Sequence, residues 1–276
     1  MKPDNNKNIL LGLPIEYKKL PEYFDAHNIS DDTDVKNSII EKLLRKQKVN
    51  TVLDLTCGTG SQVFFLTKYG YKVIGSDFSP ALLEIARKKA LKEKLDIKFI
   101  DGDMRTLNIG QFDAVITIFN AIGHLTKADF EKAIRNIYKN LKFGGVYIFD
   151  IFNLQAMTDA VVHDLRMDLK KTINNTQIHN IQYSIIDRIN GFLTSYDSLT
   201  IQKNAKILEK FKNEFTLQIY TAKELQNMLI KNGFEIVGQY GMDGAEFLEE
   251  KTLNILTVAK KKRNTENFDI SRFIDS

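Results

Sequence analysis

The run Thr51-Val52-Leu53-Asp54-Leu55 passes directly into Thr56-Cys57-Gly58-Thr59-Gly60 and then into an apolar stretch through Phe64, Phe65 and Leu66. A short, wholly apolar run suits a strand buried on both faces, which is the habit of parallel sheets covered by helices. Gly58 and Gly60 permit a turn tight enough to bring backbone N–H groups against a ligand at the strand's carboxyl end. Such a strand–turn–helix unit cannot bury itself and needs further units of its kind beside it.

The chain supplies them by alternation. Residues 71–76 read as a second strand, and Ser79-Pro80 offers a cap and a favoured first residue for a helix over 81–90. Residues 97–100 and 112–119 read as the third and fourth strands. Phe130, Ile134, Ile137 and Leu141 mark one helix face, which Gly144-Gly145 would stop before a fifth strand at 146–152. Five strands with intervening helices imply a doubly wound α/β sheet. Upstream, residues 1–30 are polar but carry Tyr17, Tyr23 and Phe24. Asp31-Asp32-Thr33-Asp34 then offers caps for a helix with Val35, Ile39, Ile40, Leu43 and Leu44 at helical spacing. After residue 170 the rhythm changes to three antiparallel strands over 178–188, 192–202 and 206–218, with Asn190-Gly191 as a hairpin signal. A capping box at Thr221-Ala222-Lys223-Glu224 opens a helix with Leu225, Met228 and Leu229 on its apolar face, ended by Gly233. Strands at 234–241 and 252–260 follow. The expected organisation is a helical lid segment over 1–50, an α/β domain from 51–164 and 219–260, a β insertion on the substrate side over 165–218, and a polar tail over 261–276.

Composition narrows the function. Lys and Arg number 39 against 35 Asp and Glu, a net charge of +4 that lacks the dense basic patch nucleic-acid binding requires. The single cysteine, Cys57, excludes an internal disulfide framework and a cysteine zinc cluster, and the four histidines form no His-x-x-x-His pair, so no metal site is expected. No apolar run is long enough to span a membrane and Met1-Lys2-Pro3-Asp4 opens no signal sequence, so the expectation is a cytoplasmic chain with no membrane partner. Lys260-Lys261-Lys262-Arg263 reads as the solvated end of an edge strand.

The glycine turn lacks the third glycine of a dinucleotide fingerprint, since position 63 is Val63. Asp77, closing the second strand, can accept both hydroxyls of a ribose or cap the helix that follows. Asp103, after the third strand, can accept from an exocyclic adenine amine or stay solvated. Acidic residues ending successive parallel strands stand where ligands of such sheets bind.

Taken in order, Val52 to Gly60, Asp77, Gly102-Asp103-Met104, Phe112-Asp113-Ala114-Val115 and Leu141-Lys142-Phe143-Gly144-Gly145 resemble the motif set of class I S-adenosylmethionine-dependent methyltransferases over residues 35–260. The resemblance implies a Rossmann-like, seven-stranded, mostly parallel sheet with helices on both faces and an antiparallel last strand. It implies S-adenosylmethionine as cofactor and S-adenosylhomocysteine as product. It assigns the loop from Asp54 through Leu55, Gly58, Thr59 and Gly60 to the methionine moiety, and Asp77 with Phe78 to the ribose side. Asp103 and Met104 would frame the adenine, and Phe119 would lie near the sulfonium. Apart from the resemblance, Tyr17, Tyr23 and Phe24 either close over the cofactor as a lid, Tyr23 being the one counted as a cofactor contact, or pack the N-terminal helix. Asn120-Ala121-Ile122-Gly123-His124, Phe149-Asp150-Ile151-Phe152-Asn153 and the β insertion are similar to the glycine and sarcosine N-methyltransferases. By that similarity Asn120 and His124 would sit near the transferred methyl or the cofactor, although a histidine there can also be a purely structural donor. Where those enzymes place an arginine for the acceptor's carboxylate, this chain has Phe152, which cannot make the bidentate pair.

The expected function is therefore methyl transfer to a small-molecule acceptor, at nitrogen before oxygen or carbon, with room for a homo-oligomer. The rivals are an RNA or protein methyltransferase and a non-catalytic S-adenosylmethionine-binding protein. Phe119-Asn120-Ala121-Ile122 lacks the Pro-Pro-aromatic run of amino-directed DNA enzymes, and Cys57 lies inside the cofactor loop rather than where a cytosine-attacking thiol stands.

Overall fold

The computed structural model describes residues 11–17, 20–25, 32–173, 175–204 and 206–262. A seven-stranded sheet in the order β10-β11-β5-β4-β1-β2-β3 is the frame. Its strands are β1 (Thr51–Asp54), β2 (Lys72–Asp77), β3 (Lys98–Asp101), β4 (Phe112–Thr117), β5 (Leu141–Phe152), β10 (Phe234–Tyr240) and β11 (Asn254–Lys261). Only β11 runs antiparallel to its neighbours β5 and β10, so the Rossmann-like α/β class is the observed one.

Helices α1 (Asp32–Lys46), α2 (Ser61–Lys68) and α3 (Pro80–Glu93) alternate with the first strands, α4 (Lys127–Lys139) leads into β5, and α6 (Ala222–Lys231) leads into β10. The period-2 alternation of buried strands sends side chains to two cores. Leu53, Leu55, Val115, Tyr147, Phe149 and Ile151 meet Phe130, Ile134 and Ile137 of α4 and Leu225 and Leu229 of α6. On the other face Val52, Ala114, Ile116, Ile148 and Val258 meet Ile39, Ile40 and Leu44 of α1. Each fully buried Leu, Ile or Phe contributes about 1.5–3 kcal/mol over leaving it in water. Caps set the helix starts: the Ser79 hydroxyl accepts from Leu82 N, and Thr221 with Glu224 closes a full capping box.

Two expectations are corrected here. Helix α4 ends at Asn140, not at Gly144-Gly145, because Leu141 already pairs with Phe112 in the sheet; the two glycines form an irregularity inside the β4–β5 pairing. Lys261 is not a solvated edge residue. It is 4% exposed on β11, an interior strand, and its ammonium donates to the Tyr138 and Leu141 carbonyls at 2.7 Å each.

The second sheet has four antiparallel strands where the sequence showed three: β6 (Met167–Ile173), β7 (Thr176–Asp187), β8 (Phe192–Lys203) and β9 (Lys206–Gln218), preceded by the short helix α5 (Asp159–Asp164). Strand β6 carries a strict half-exposed alternation of modest apolarity, which gave no separate signal. The β7–β8 hairpin closes through Arg188 to Gly191, with Gly191 at φ +69° and the Asp187 carboxylate accepting from Ile189 N and Asn190 N. Residues 11–13 lie along β9: Thr216 N donates to the Leu11 carbonyl at 2.6 Å and Asn213 Nδ2 to the Leu13 carbonyl.

Candidate active site

The carboxyl ends of β1, β2, β4 and β5 open into a cavity of about 410 Å³, whose roof is the N-terminal segment through Leu13, Tyr17 and Phe24. That volume falls in the range of small-molecule sites. Three carboxylates, each at most 6% exposed, line it: Asp54, Asp77 and Asp150.

Asp54 Oδ1 accepts from Thr56 N and so starts the turn after β1. Gly58 follows at φ +53° with its N–H on Asp77 Oδ2 at 2.8 Å, while Asp77 Oδ1 accepts from Ser79 N at 2.8 Å. Asp77 thus ties the glycine loop to the start of α3, and Ser79 rather than Asp77 is the side-chain cap. Each Asp77 oxygen keeps a second acceptor site for a ligand. A Cβ on Gly58 would come within 3.3 Å of the Phe24 ring, and one on Gly60, at φ +93°, within 2.7 Å of Phe64. The first glycine keeps backbone open to the cavity beneath Phe24; the second lets α2 pack. Burial raises the Asp54 pKa to about 8, with Asp77 adding to the rise, and raises that of Asp77 to about 6 against the backbone N–H groups of Ser79, Gly58 and Phe78.

At the β4 exit, Phe119 and Asn120 both adopt left-handed backbone, φ +62° and +60°. Non-glycine residues hold that conformation only when the surroundings over-determine it. The cause is Asp150 of β5, which accepts from Phe119 N at 2.5 Å and Asn120 N at 3.3 Å. Asn254 Nδ2 donates to Asn120 Oδ1, so one face of that amide is already committed. Burial lifts the Asp150 pKa to about 6, opposed by these two N–H groups and by Lys36.

The turn Ala121–His124 then carries His124 into the cavity wall. Its ring stands edge-on to Tyr17 at 5.7 Å, and the Gly12 carbonyl accepts a hydrogen bond from it. Nδ1 has no partner among the described residues, which leaves it as the unprotonated acceptor. Burial lowers the His124 pKa to about 4, so the ring is neutral at physiological pH.

The other sequence-selected residues fall as follows. Leu55, Thr59, Phe78, Asp103 and Met104 line the cavity. Phe78 is 51% exposed, a free ring face at the rim. Asp103 is held by Arg105, whose Nε and Nη2 donate to its carboxylate, with Nη1 on Asp129. Thr59 Oγ1 donates to Asp25, which also pairs with Lys89 at 2.5 Å, so the loop is braced from the N-terminal segment. Gly60 sits behind the wall as the residue preceding α2. Tyr23 lies off the cavity, packed with Leu20, Ile178, Leu199 and Ile201 under the second sheet; Tyr17 and Phe24 take the roof instead. The sequence reading gave no ligand role to Asp150, Lys36, Gln62 or Asn254, all of which line the cavity. Asp150 alone carried a findable signal, a carboxylate near the end of a strand as at Asp54 and Asp77.

Comparisons with known proteins agree with this geometry. Residues 52–145 match the profile described as a methyltransferase domain. A putative methyltransferase of Bacillus subtilis is 26% identical over 67% of this chain and 73% of its own length. A glycine/sarcosine N-methyltransferase of Parasynechococcus marenigrum is 34% identical over 43% of this chain and 44% of its own. The structure of the sugar N-methyltransferase KedS8 from Streptoalloteichus superposes with a TM-score of 0.74 at 16% identity, covering 95% of this chain and 98% of that one. Residues 52–145 thus carry a methyltransferase domain, and the fold is that of the S-adenosylmethionine-dependent methyltransferases to which the chain is similar.

The residues present fit that cofactor. Gly58 leaves room for main chain under Phe24, Asp77 retains acceptor capacity at the strand end, and Asp77 and Asp150, which ionise near pH 6, give the cavity a negative lining suited to a cation.

Proposed function

We propose that the acceptor is a small molecule methylated at nitrogen, and that it carries no free carboxylate. The observation that supports this is the apolar and aromatic part of the cavity lining, Leu13, Tyr17, Leu125 and Phe152 with a neutral His124, while the lining's arginine, Arg105, is bound to Asp103 and Asp129 and its lysine, Lys36, is near Asp150. When bound, S-adenosylmethionine supplies an electrophilic methyl on a sulfonium whose departure as a thioether is easy. The chain's task is then alignment and exclusion of water. The N-terminal segment, held by Ser79 Oγ on the Tyr17 carbonyl and by Asp25 on Thr59, covers the cavity. That roof suits a compact acceptor over a folded polymer.

An amine attacks only when neutral. His124 Nδ1 accepts one N–H and so turns the amine's lone pair, and the Asn120 amide nitrogen, whose oxygen is held by Asn254, is a further donor in the same cavity lining. A histidine with a pKa of about 4 is a poor general base at neutral pH, which disfavours hydroxyl acceptors of high pKa. The sugar and the glycine/sarcosine relatives named above are both nitrogen-directed, in line with this reading. Phe152, in place of a carboxylate-binding arginine, sets it apart from glycine chemistry.

The test is a screen of metabolite fractions with methyl-labelled S-adenosylmethionine, reading labelled products by mass spectrometry. The expected product is a labelled amine of low mass. A label found only on protein, on RNA or on oxygen would overturn the proposal.

A further inference from the structure

We propose that Arg105 is a positioning residue for donor recognition: by clamping Asp103 it makes the site accept a purine with a 6-amino group and refuse one with a 6-oxo group. The inference rests on Asp103 meeting the adenine of S-adenosylmethionine, and concerns what fixes that carboxylate in this chain.

Asp103 follows β3 and lines the cavity with its side chain 25% exposed. An aspartate in such a loop can ordinarily turn its carboxylate toward water. Here one residue holds it. The Arg105 backbone N–H donates to Oδ1 at 2.8 Å, Nε lies 3.0 Å from Oδ1 and 2.9 Å from Oδ2, and Nη2 donates to Oδ2. The guanidinium is anchored in turn. Its Nη1 donates at 3.3 Å to Asp129, in the first turn of α4, and Lys132 Nζ takes the other Asp129 oxygen at 2.8 Å. The Arg105 and Asp129 side chains are 16% and 14% exposed, so solvent screens the group little. The main chain of the loop is tied to the same helix: Asn136 Nδ2 donates to the Met104 and Leu107 carbonyls at 3.0 and 2.8 Å.

An ionised carboxylate has about four acceptor sites. Arg105 occupies most of them and pins the plane of the group, so what remains is an acceptor of fixed direction. A 6-amino purine donates to such an acceptor. A 6-oxo purine sets a lone pair against it and carries its nearest proton on the neighbouring ring nitrogen, where a pinned carboxylate cannot follow. A carboxylate free to turn would reach that proton and tolerate the oxo group. Discrimination therefore requires the clamp as well as the acid, since the refused ligand has to meet a group that does not yield. Lysine would supply the charge without the planar fork that engages both oxygens.

The experiment compares two ligands by calorimetry. S-adenosylhomocysteine and S-inosylhomocysteine carry a 6-amino and a 6-oxo purine on the same frame. The wild type is expected to bind the adenosyl compound about ten- to a hundredfold tighter, the scale of a lost hydrogen bond to a charged group. In Arg105→Met and in Arg105→Lys that ratio is expected to fall to about threefold or less, because the freed carboxylate no longer refuses the oxo group. Ligand-free melting shows which variants fold. Arg105→Lys keeps a positive charge beside Asp103 and Asp129 and carries the test if Arg105→Met unfolds. A wild-type ratio retained in either folded variant, equal losses for both ligands included, would overturn the assignment and leave the Arg105 contacts as loop packing. Absence of any preference in the wild type would instead overturn the adenine reading on which it rests.

Discussion

Asp77 shows how one side chain can organise a loop and still face a ligand. Its oxygens hold Gly58 N and Ser79 N, and the side chain lines the cavity; by the ribose reading its remaining acceptor capacity meets the donor's hydroxyls. Asp77→Asn turns one acceptor into a donor set against a backbone N–H. Donor affinity should fall by about 1–3 kcal/mol. Calorimetry should find the same loss for S-adenosylhomocysteine and methylthioadenosine, since both carry the ribose; intact affinity would remove Asp77 from the ribose. Asp54, Asp77 and Asp103 were legible because each follows an apolar strand, where the topology gathers strand ends. Gln62 was not, because a glutamine in a helix's first turn is ordinarily solvated and nothing in the sequence marks it as buried. Tyr23 went to the second sheet and Tyr17 and Phe24 to the cavity because aromatics in a segment without periodicity carry no facing information.

Among the elements, strands and helices of regular period were readable to within a few residues, and the departures have local causes. The α4–β5 junction was displaced because Leu141 continues the helix's apolar spacing and also pairs with Phe112. Strand β11 was taken as an edge because order along the chain does not show that β10 lies outside it. Lys261 follows from that. Its ammonium satisfies two carbonyls where α4 meets β5 and lies 4.2 Å from the Tyr138 ring centre. Burial lowers its pKa. Lys261→Met keeps the stem's packing but leaves both carbonyls unpaired. Denaturant unfolding should show a loss of about 1–3 kcal/mol, and no loss would mean that water replaces the ammonium. At the β4 exit, no sequence pattern announced two consecutive left-handed residues. They arise from a tertiary contact, the Asp150 carboxylate, which local propensity cannot foresee.

For the molecule as a whole, three buried acids with raised pKa values set a sign. Asp54, Asp77 and Asp150 titrate at about 8, 6 and 6 in the folded chain, against about 4 when unfolded. The folded state therefore binds their protons more tightly. Their stabilising contribution is full below about pH 4 and is lost as pH rises through 6 and then 8. The ligand-free melting temperature should fall over that interval, and the rise produced by cationic S-adenosylmethionine should grow with pH. A ligand-induced shift independent of pH would mean that the acids do not feel the donor. The direction of β11 has a practical outcome of another sort. It pairs Asn254 with Phe152 and Lys260 with Val146, so the chain descends from the cavity edge and departs the sheet at the opposite pole. An affinity handle or surface tether placed after Lys262 would anchor the protein upside down relative to its mouth and leave exchange of small molecules unobstructed. The same handle placed ahead of Leu11 would arrive at the roof itself.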